Sequence, residues 1–133
     1  MRVFLDTNVL ISAVATRGLC ADVLREVLAQ HELVTSDLVL DEVAEILQER
    51  LGVAPGDTAE YVRLLKESAF IARPEPVTGL ELTDKDDLPI LGAAVASGAR
   101  FFVTGDNELL RLATVGGLTI LSPRAFHEKR TGP

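Results

Sequence analysis

The sequence predicts an α/β fold, a three-layer α/β/α sandwich around a central parallel sheet of about five strands. Three observations carry that expectation. Val3-Phe4-Leu5 is apolar without alternation, as in a strand buried on both faces under helices. Further short apolar or β-branched runs recur along the chain and alternate with longer segments of helical spacing, the pattern of parallel strands joined by helices. The chain has 133 residues, 47% hydrophobic and 25% charged. That suits a single globular domain over 1–133 with a proper core.

In order, Thr7-Asn8 opens an apolar helix through Val14, and Thr16-Arg17-Gly18 is a loop. Leu19 to Gln30 carries Leu19, Val23, Val27 and Leu24, Leu28 at helical spacing, ending at His31. Leu33-Val34-Thr35 is the second strand. Ser36-Asp37 reads as an N-cap for a helix to about Arg50-Leu51, stopped by Gly52. Pro55-Gly56 reads as a turn, and Asp57-Thr58-Ala59-Glu60 as a near capping box for a helix through Ser68. Phe70-Ile71-Ala72 is the third strand, and Val77 to Leu82 a connector. After the acidic stretch Thr83-Asp84-Lys85-Asp86-Asp87, a helix runs from Leu88 to Gly98 with Pro89 in its first turn. Phe101 to Thr104 is the fourth strand, and Asn107 to Ala113 a short helix. Gly116-Gly117 is a turn, Leu118 to Leu121 the fifth strand. Ser122-Pro123 starts a last helix through Phe126, and His127-Glu128-Lys129-Arg130 is a polar tail.

Composition narrows the function. No apolar run is long enough to span a membrane, and no basic segment followed by an apolar one suggests a secretory signal. Cys20, the only cysteine, excludes an intramolecular disulfide and is read as a small buried residue. A reducing, cytoplasmic setting is therefore expected. A net charge of -7 argues against a domain held on nucleic acid by a broad basic face, though not against an enzyme that meets phosphate through a metal. The two histidines, His31 and His127, make a His-rich zinc site a poor fit.

The acids are the informative residues. Asp6 follows the first strand directly, at the carboxyl end where open α/β sheets place ligands. Asp6 or Asn8 could equally serve only as a helix cap. The arrangement recurs where Thr104-Gly105-Asp106-Asn107 follows the fourth strand. Of the third helix's acids, Asp41 and Glu45 fall opposite its apolar stripe. Glu42, three after Val39 and four before Ile46, lies at the stripe's edge. If strands one and four are neighbours at a switch in strand order, Asp6 and Asp106 end side by side, with Glu42 and the Asp84–Asp87 cluster on the same rim. Convergent carboxylates with no basic partner repel. A hard divalent ion resolves this, and oxygen-only ligands point to Mg²⁺ or Mn²⁺. Helical register favours Asp87 as the third acid, since steps from it reach Leu91 and Ala94 on the face pressed to the sheet. The line from Asp86 through Ile90, Ala93 and Ser97 is expected to turn towards solvent, so that capping or dipole compensation suffices for Asp86 and Asp84, and Asp84 would reach the site only if the loop folds back or through a water.

Val3-Phe4-Leu5-Asp6-Thr7-Asn8-Val9-Leu10, Glu42, Asp87, Phe102-Val103-Thr104-Gly105-Asp106 and the ending Ser122-Pro123-Arg124-Ala125-Phe126 together resemble the PIN-domain ribonucleases, in particular the VapC-like toxins of toxin–antitoxin systems. The resemblance covers the whole chain. It implies a PIN-like fold and a metal-dependent endoribonuclease with Mg²⁺ or Mn²⁺ as cofactor, held by Asp6, Glu42, Asp87 and Asp106. Thr7, Asn8 and Thr104 would orient those acids, with Asp84 and Asp86 as further supporting polar residues. The partners implied are an RNA substrate, a cognate antitoxin protein and a second copy in a homodimer. Other classes fare worse. A haloacid-dehalogenase-type phosphatase needs a second Asp where Asn8 stands. A receiver domain needs an Asp after strand three and a Lys after strand five, where the chain has Arg73-Pro74 and Ser122-Pro123. A non-catalytic PIN-like partner-binding module is the remaining alternative.

Overall fold

The computed structural model describes residues 1–131, with side chains through Lys129. In chain order the elements are β1 (Arg2–Leu5), α1 (Thr7–Ala15), α2 (Leu19–Gln30), β2 (Glu32–Ser36), α3 (Asp37–Glu49), α4 (Pro55–Ser68) and β3 (Ala69–Ala72). There follow α5 (Asp87–Ala96), β4 (Phe101–Val103), α6 (Asn107–Leu110), β5 (Thr114–Val115), β6 (Leu118–Leu121) and α7 (Pro123–Thr131).

One sheet takes the strand order β3-β2-β1-β4-β6-β5. Its first five strands in that order pair in parallel, and β5 joins β6 antiparallel. The chain winds outward from β1 through β2 to β3, then crosses back to β4. Right-handed crossovers place helices from the two directions on opposite faces. Accordingly α1, α2, α3, α4 and α7 pack on one another, and α5 lies against β2 and β3. The switch in winding falls between β1 and β4, where such sheets open a crevice at the strands' carboxyl ends.

Burial fixes the register there. Val3, Phe4, Leu5, Phe102 and Val103 are fully buried, and the Phe4 and Phe102 rings stack with centroids 5.0 Å apart. Phe4 pairs with Phe102 and Leu5 with Val103. The next residues, Asp6 and Thr104, therefore face each other. A slip by one residue would put every side chain on the wrong face of a sheet buried on both.

The helices begin and end as their sequences direct. Asp6 caps α1, and the Ser36 hydroxyl accepts from Val39 N at 3.3 Å to cap α3. Gly52 has a φ of +66°, and beyond it Val53 N reaches back to Leu47 O at 2.9 Å, a Schellman-type stop. His31 is the C-cap of α2. Ser122 Oγ accepts from Ala125 N at 3.0 Å at the head of α7.

Several expectations are corrected. The sheet has six strands, not five: the helix expected over 107–113 ends at Leu110, and Thr114–Val115, between it and the Gly116-Gly117 turn, forms β5, with Ala113 at a φ of +60° and Gly116 at +57°. Gly116-Gly117 is then the two-residue turn of a hairpin. Pro55 and Gly56 lie inside α4 as its first residues. Pro at the first position lacks only an N–H that the helix does not use, so no side chain of a capping box is engaged and Ala54 is the cap. The polar stretch 127–130 continues α7 to Thr131, pinned by Phe126 against Phe101 and His31; the Arg130 side chain, like Gly132 and Pro133, lies outside the described part. Leu28 is 44% exposed, so the inner face of α2 is Val23 and Val27. Cys20 is half-buried rather than buried. Among the described residues no single helix is long and apolar enough to cross a membrane.

Candidate active site

Four segments deliver carboxylates to one cleft at the carboxyl ends of β1, β2 and β4. Its walls carry Asp6, Glu42, Asp84, Asp87 and Asp106, with Asn8, Ser12, Ile11 and Ile46 beside them. Asp6 arrives because it both ends β1 and caps α1. Glu42 is half-buried one turn into α3, while Asp41 and Glu45 are exposed. Asp87 is the first residue of α5 and Asp106 the N-cap of α6.

The Asp6 carboxylate is held at both oxygens. Oδ1 accepts from Thr7 N at 2.9 Å. Oδ2 accepts from the Thr104 hydroxyl at 2.8 Å and from Asn8 Nδ2 at 3.2 Å. Asn8 spans the switch point: its Oδ1 accepts from Gly105 N at 2.7 Å. A Cβ on residue 105 would lie 3.2 Å from that oxygen, so glycine lets the backbone approach. Thr104 Oγ1 in turn accepts from Asp106 N at 3.1 Å, and Asp106 Oδ1 from Glu108 N and Leu109 N at 2.8 and 3.3 Å. The Thr7 hydroxyl is buried with no hydrogen-bond partner.

Charge in this cleft is uncompensated. No ion pair engages any of the five acids among the described residues. Burial pushes the Asp6 carboxyl up; the Thr104 hydroxyl and the Thr7 amide pull against it, and Glu42 and Asp106 add to the rise. Asp87 is pushed up to about 7, by burial first and then by Asp6, Asp84, Asp106 and Glu42.

That shift makes stability depend on pH. The Asp87 carboxyl has an ordinary value of 3.8 and a folded one of about 7, so between them the folded protein keeps a proton that the unfolded chain has lost. Its contribution is complete below pH 4 and disappears as pH rises through 7. In metal-free buffer, Asp87→Asn should therefore melt higher than the parent protein at pH 8, with the gap closing towards pH 4. A gap indifferent to pH would show that some other group bears the strain.

The third-acid region departs from expectation in its register. Asp84 lines the cleft. The loop folds back through an Asx turn in which Asp84 Oδ1 accepts from Asp86 N at 2.9 Å and Asp84 O from Asp87 N at 3.1 Å. Asp86 is exposed, stays outside the cleft and, at the N-cap position of α5, makes no capping bond. The register argument that set it aside fails nonetheless. Ile90, Ala93 and Ser97 are buried like Leu91 and Ala94, and Ser97 O accepts from Arg2 Nη1 of β1, so that line does not turn to solvent. Ser12, Ile11 and Ile46 were missed. Ser12 is four residues after Asn8 and Ile46 four after Glu42, so helical spacing could have found two of them.

Among the described residues no three His, Cys, Asp or Glu side chains stand ready to coordinate one ion directly. The donor set is nonetheless all oxygen, without histidine or cysteine. It suits a hard cation that keeps several of its waters and takes few direct carboxylates.

Fold and cleft together define a class: a doubly wound α/β protein whose acids converge at the switch point of the sheet. The chain belongs to the PIN-domain family, whose model matches residues 2–108. It is similar to a chain of VapBC2 from Rickettsia felis, seen in a crystal structure bound to a DNA fragment from their promoter. The TM-score is 0.64 at 15% sequence identity, over 92% of this chain and 98% of that one. At that identity the likeness is one of fold. No curated protein matches the sequence.

Proposed function

We propose that the chain is a metal-dependent endoribonuclease, the toxin component of a toxin–antitoxin pair, that hydrolyses RNA phosphodiesters with Mg²⁺ or Mn²⁺ held by Asp6, Glu42, Asp87 and Asp106. One observation carries the reading: five carboxylates from four segments line one cleft, and among the described residues no basic side chain lines it with them. Such a cluster is costly to assemble without a cation. A divalent ion there supplies positive charge that offsets the charge building on a phosphodiester and acidifies attacking water.

The chain's own part is orientation. Thr7 N, Thr104 and Asn8 fix both oxygens of Asp6, so that carboxylate cannot swing away when a cation or phosphate enters. Glu108 N and Leu109 N hold one oxygen of Asp106 and leave the other for a ligand. Ile11 and Ile46 give the cleft an apolar shoulder that limits water around the acids. Asp84, with one oxygen spent on its turn, suits contact through a metal-bound water better than direct ligation.

Purified protein should cut single-stranded RNA weakly with Mg²⁺ or Mn²⁺, stop in excess EDTA, and leave DNA of the same sequence intact. Cleavage that persists in excess chelator removes the mechanism. A non-catalytic partner-binding PIN module is the alternative reading. A metal titration followed by calorimetry separates the two, since the module predicts no saturable binding.

The partner proposal rests on the same cleft. An acidic crevice on a chain of net charge -7 complements a guanidinium fork. A cognate antitoxin that covers it with an arginine would exclude both metal and RNA. A co-purified partner that blocks cleavage yet leaves the metal site titratable would refute that mode. A homodimer and a cytoplasmic location belong to the same reading, the first open to light scattering at working concentration.

A further inference from the structure

Two of the five cleft acids hang from the end of a long connector. Residues 73–86 join β3 to α5 without helix or strand. Among the described residues, no backbone–backbone hydrogen bond is made from Pro74 to Thr83. Leu82 is buried, but an apolar anchor does not fix orientation. The polar tie is at Thr83. Its N–H donates to Glu108 Oε1 at 3.0 Å and its hydroxyl to Glu108 Oε2 at 2.8 Å, so one carboxylate clasps the residue at two points.

Glu108 belongs to α6, the helix that Asp106 caps. Its own N–H donates to Asp106 Oδ1 at 2.8 Å. A line of bonds thus runs from Asp106 through Glu108 to Thr83, and on through the Asp84 turn to the amides of Asp86 and Asp87. Glu108 does not line the cleft, and no basic residue pairs with it among the described residues.

We propose that Glu108 is a positioning residue: by clasping Thr83 it holds the loop bearing Asp84 and Asp87 at a fixed distance from Asp106 and Asp6. The metal consequence rests on the nuclease reading; the clasp itself does not. Charge and clasp make opposite demands on a conservative variant. Glu108→Gln keeps an oxygen to accept from Thr83 N and an amide that can donate to the threonine hydroxyl, but loses the charge. Glu108→Ala loses both.

The test has two arms. In metal-free protein, amide hydrogen exchange at Thr83, Asp86 and Asp87 should accelerate in Glu108→Ala and stay near the parent rate in Glu108→Gln. Thr83→Val, which deletes only the hydroxyl bond, should lie between them. Mn²⁺ titration of the same proteins should show affinity reduced roughly 10-fold in Glu108→Ala, the low end for losing an outer partner of a metal site, and within a few-fold of the parent in Glu108→Gln. Unchanged exchange in Glu108→Ala overturns the proposal, as does equal loss of Mn²⁺ affinity in both Glu108 variants, which would make Glu108 a charge rather than a clasp. If the parent protein binds no Mn²⁺, the metal reading fails, and the exchange arm still decides the clasp.

Discussion

Asp6→Asn should cut RNA cleavage by at least roughly 10²-fold at fixed Mg²⁺, the scale for removing a group that stabilises developing charge. Asp6 is 4% exposed and bonded at both oxygens, so no other residue can move into its place. The variant loses a negative charge where a cation is to be held. It also turns one of the two oxygens into an amide donor that faces either the Thr7 N–H or Asn8 Nδ2, so at least one of the bonds that hold the side chain is lost. Mg²⁺ should raise the melting temperature of the parent protein, since a ligand that binds only the folded state stabilises it, and that rise should largely vanish in the variant. Asp106→Asn should behave similarly. Asp86→Asn is the control: outside the cleft, it should stay within a few-fold of the parent rate. Asp6→Asn cutting RNA at near-parent rate, with the control as active, would leave the proposed site without its central ligand.

Gly92→Ala should destabilise the fold by about 1–3 kcal/mol or more, the range for forcing a methyl group into a packed interior. Local propensity argues the other way, because alanine in mid-helix is favoured over glycine by about 1 kcal/mol. Tertiary contact decides the sign. Gly92 is buried in α5, and a Cβ there would lie 1.8 Å from Glu75 O and 2.7 Å from Glu75 C. Both are backbone atoms that cannot rotate aside, so either α5 or the connector must shift. α5 begins at Asp87, so the displacement should also weaken Mn²⁺ binding. Melting temperature and Mn²⁺ titration check both. A variant that melts higher than the parent would mean that the connector yields freely and does not press on the helix.

The parts read correctly from the sequence were those whose causes are local. Val3-Phe4-Leu5 and Phe101-Phe102-Val103 read as buried strands, and Ser36 and Ser122 as caps, because each pattern states its own hydrogen-bonding or burial need. The convergence of Asp6 and Asp106 needed one topological assumption, that strands one and four adjoin, and the sheet order satisfies it. Glu42 could be set apart from Asp41 and Glu45 by angle alone. The family, too, was legible, since short motifs gain specificity from their order along a chain of alternating elements.

What the sequence determined by itself was which residues must be buried, where most helices start, and that its acids fall at the carboxyl ends of strands. Only the tertiary structure decided the rest, wherever a residue answers to a partner that its own sequence pattern does not specify. Thr83 meets Glu108 of α6, and Gly92 is a glycine because of Glu75. Asp84 turns inward because the loop folds back on itself, and two-residue β5 exists only because β6 is there to pair with it. Strand burial and capping are fixed within a few residues. The geometry of the acid cleft is fixed by contacts that form only once the connector, α5 and α6 have closed around the end of the sheet.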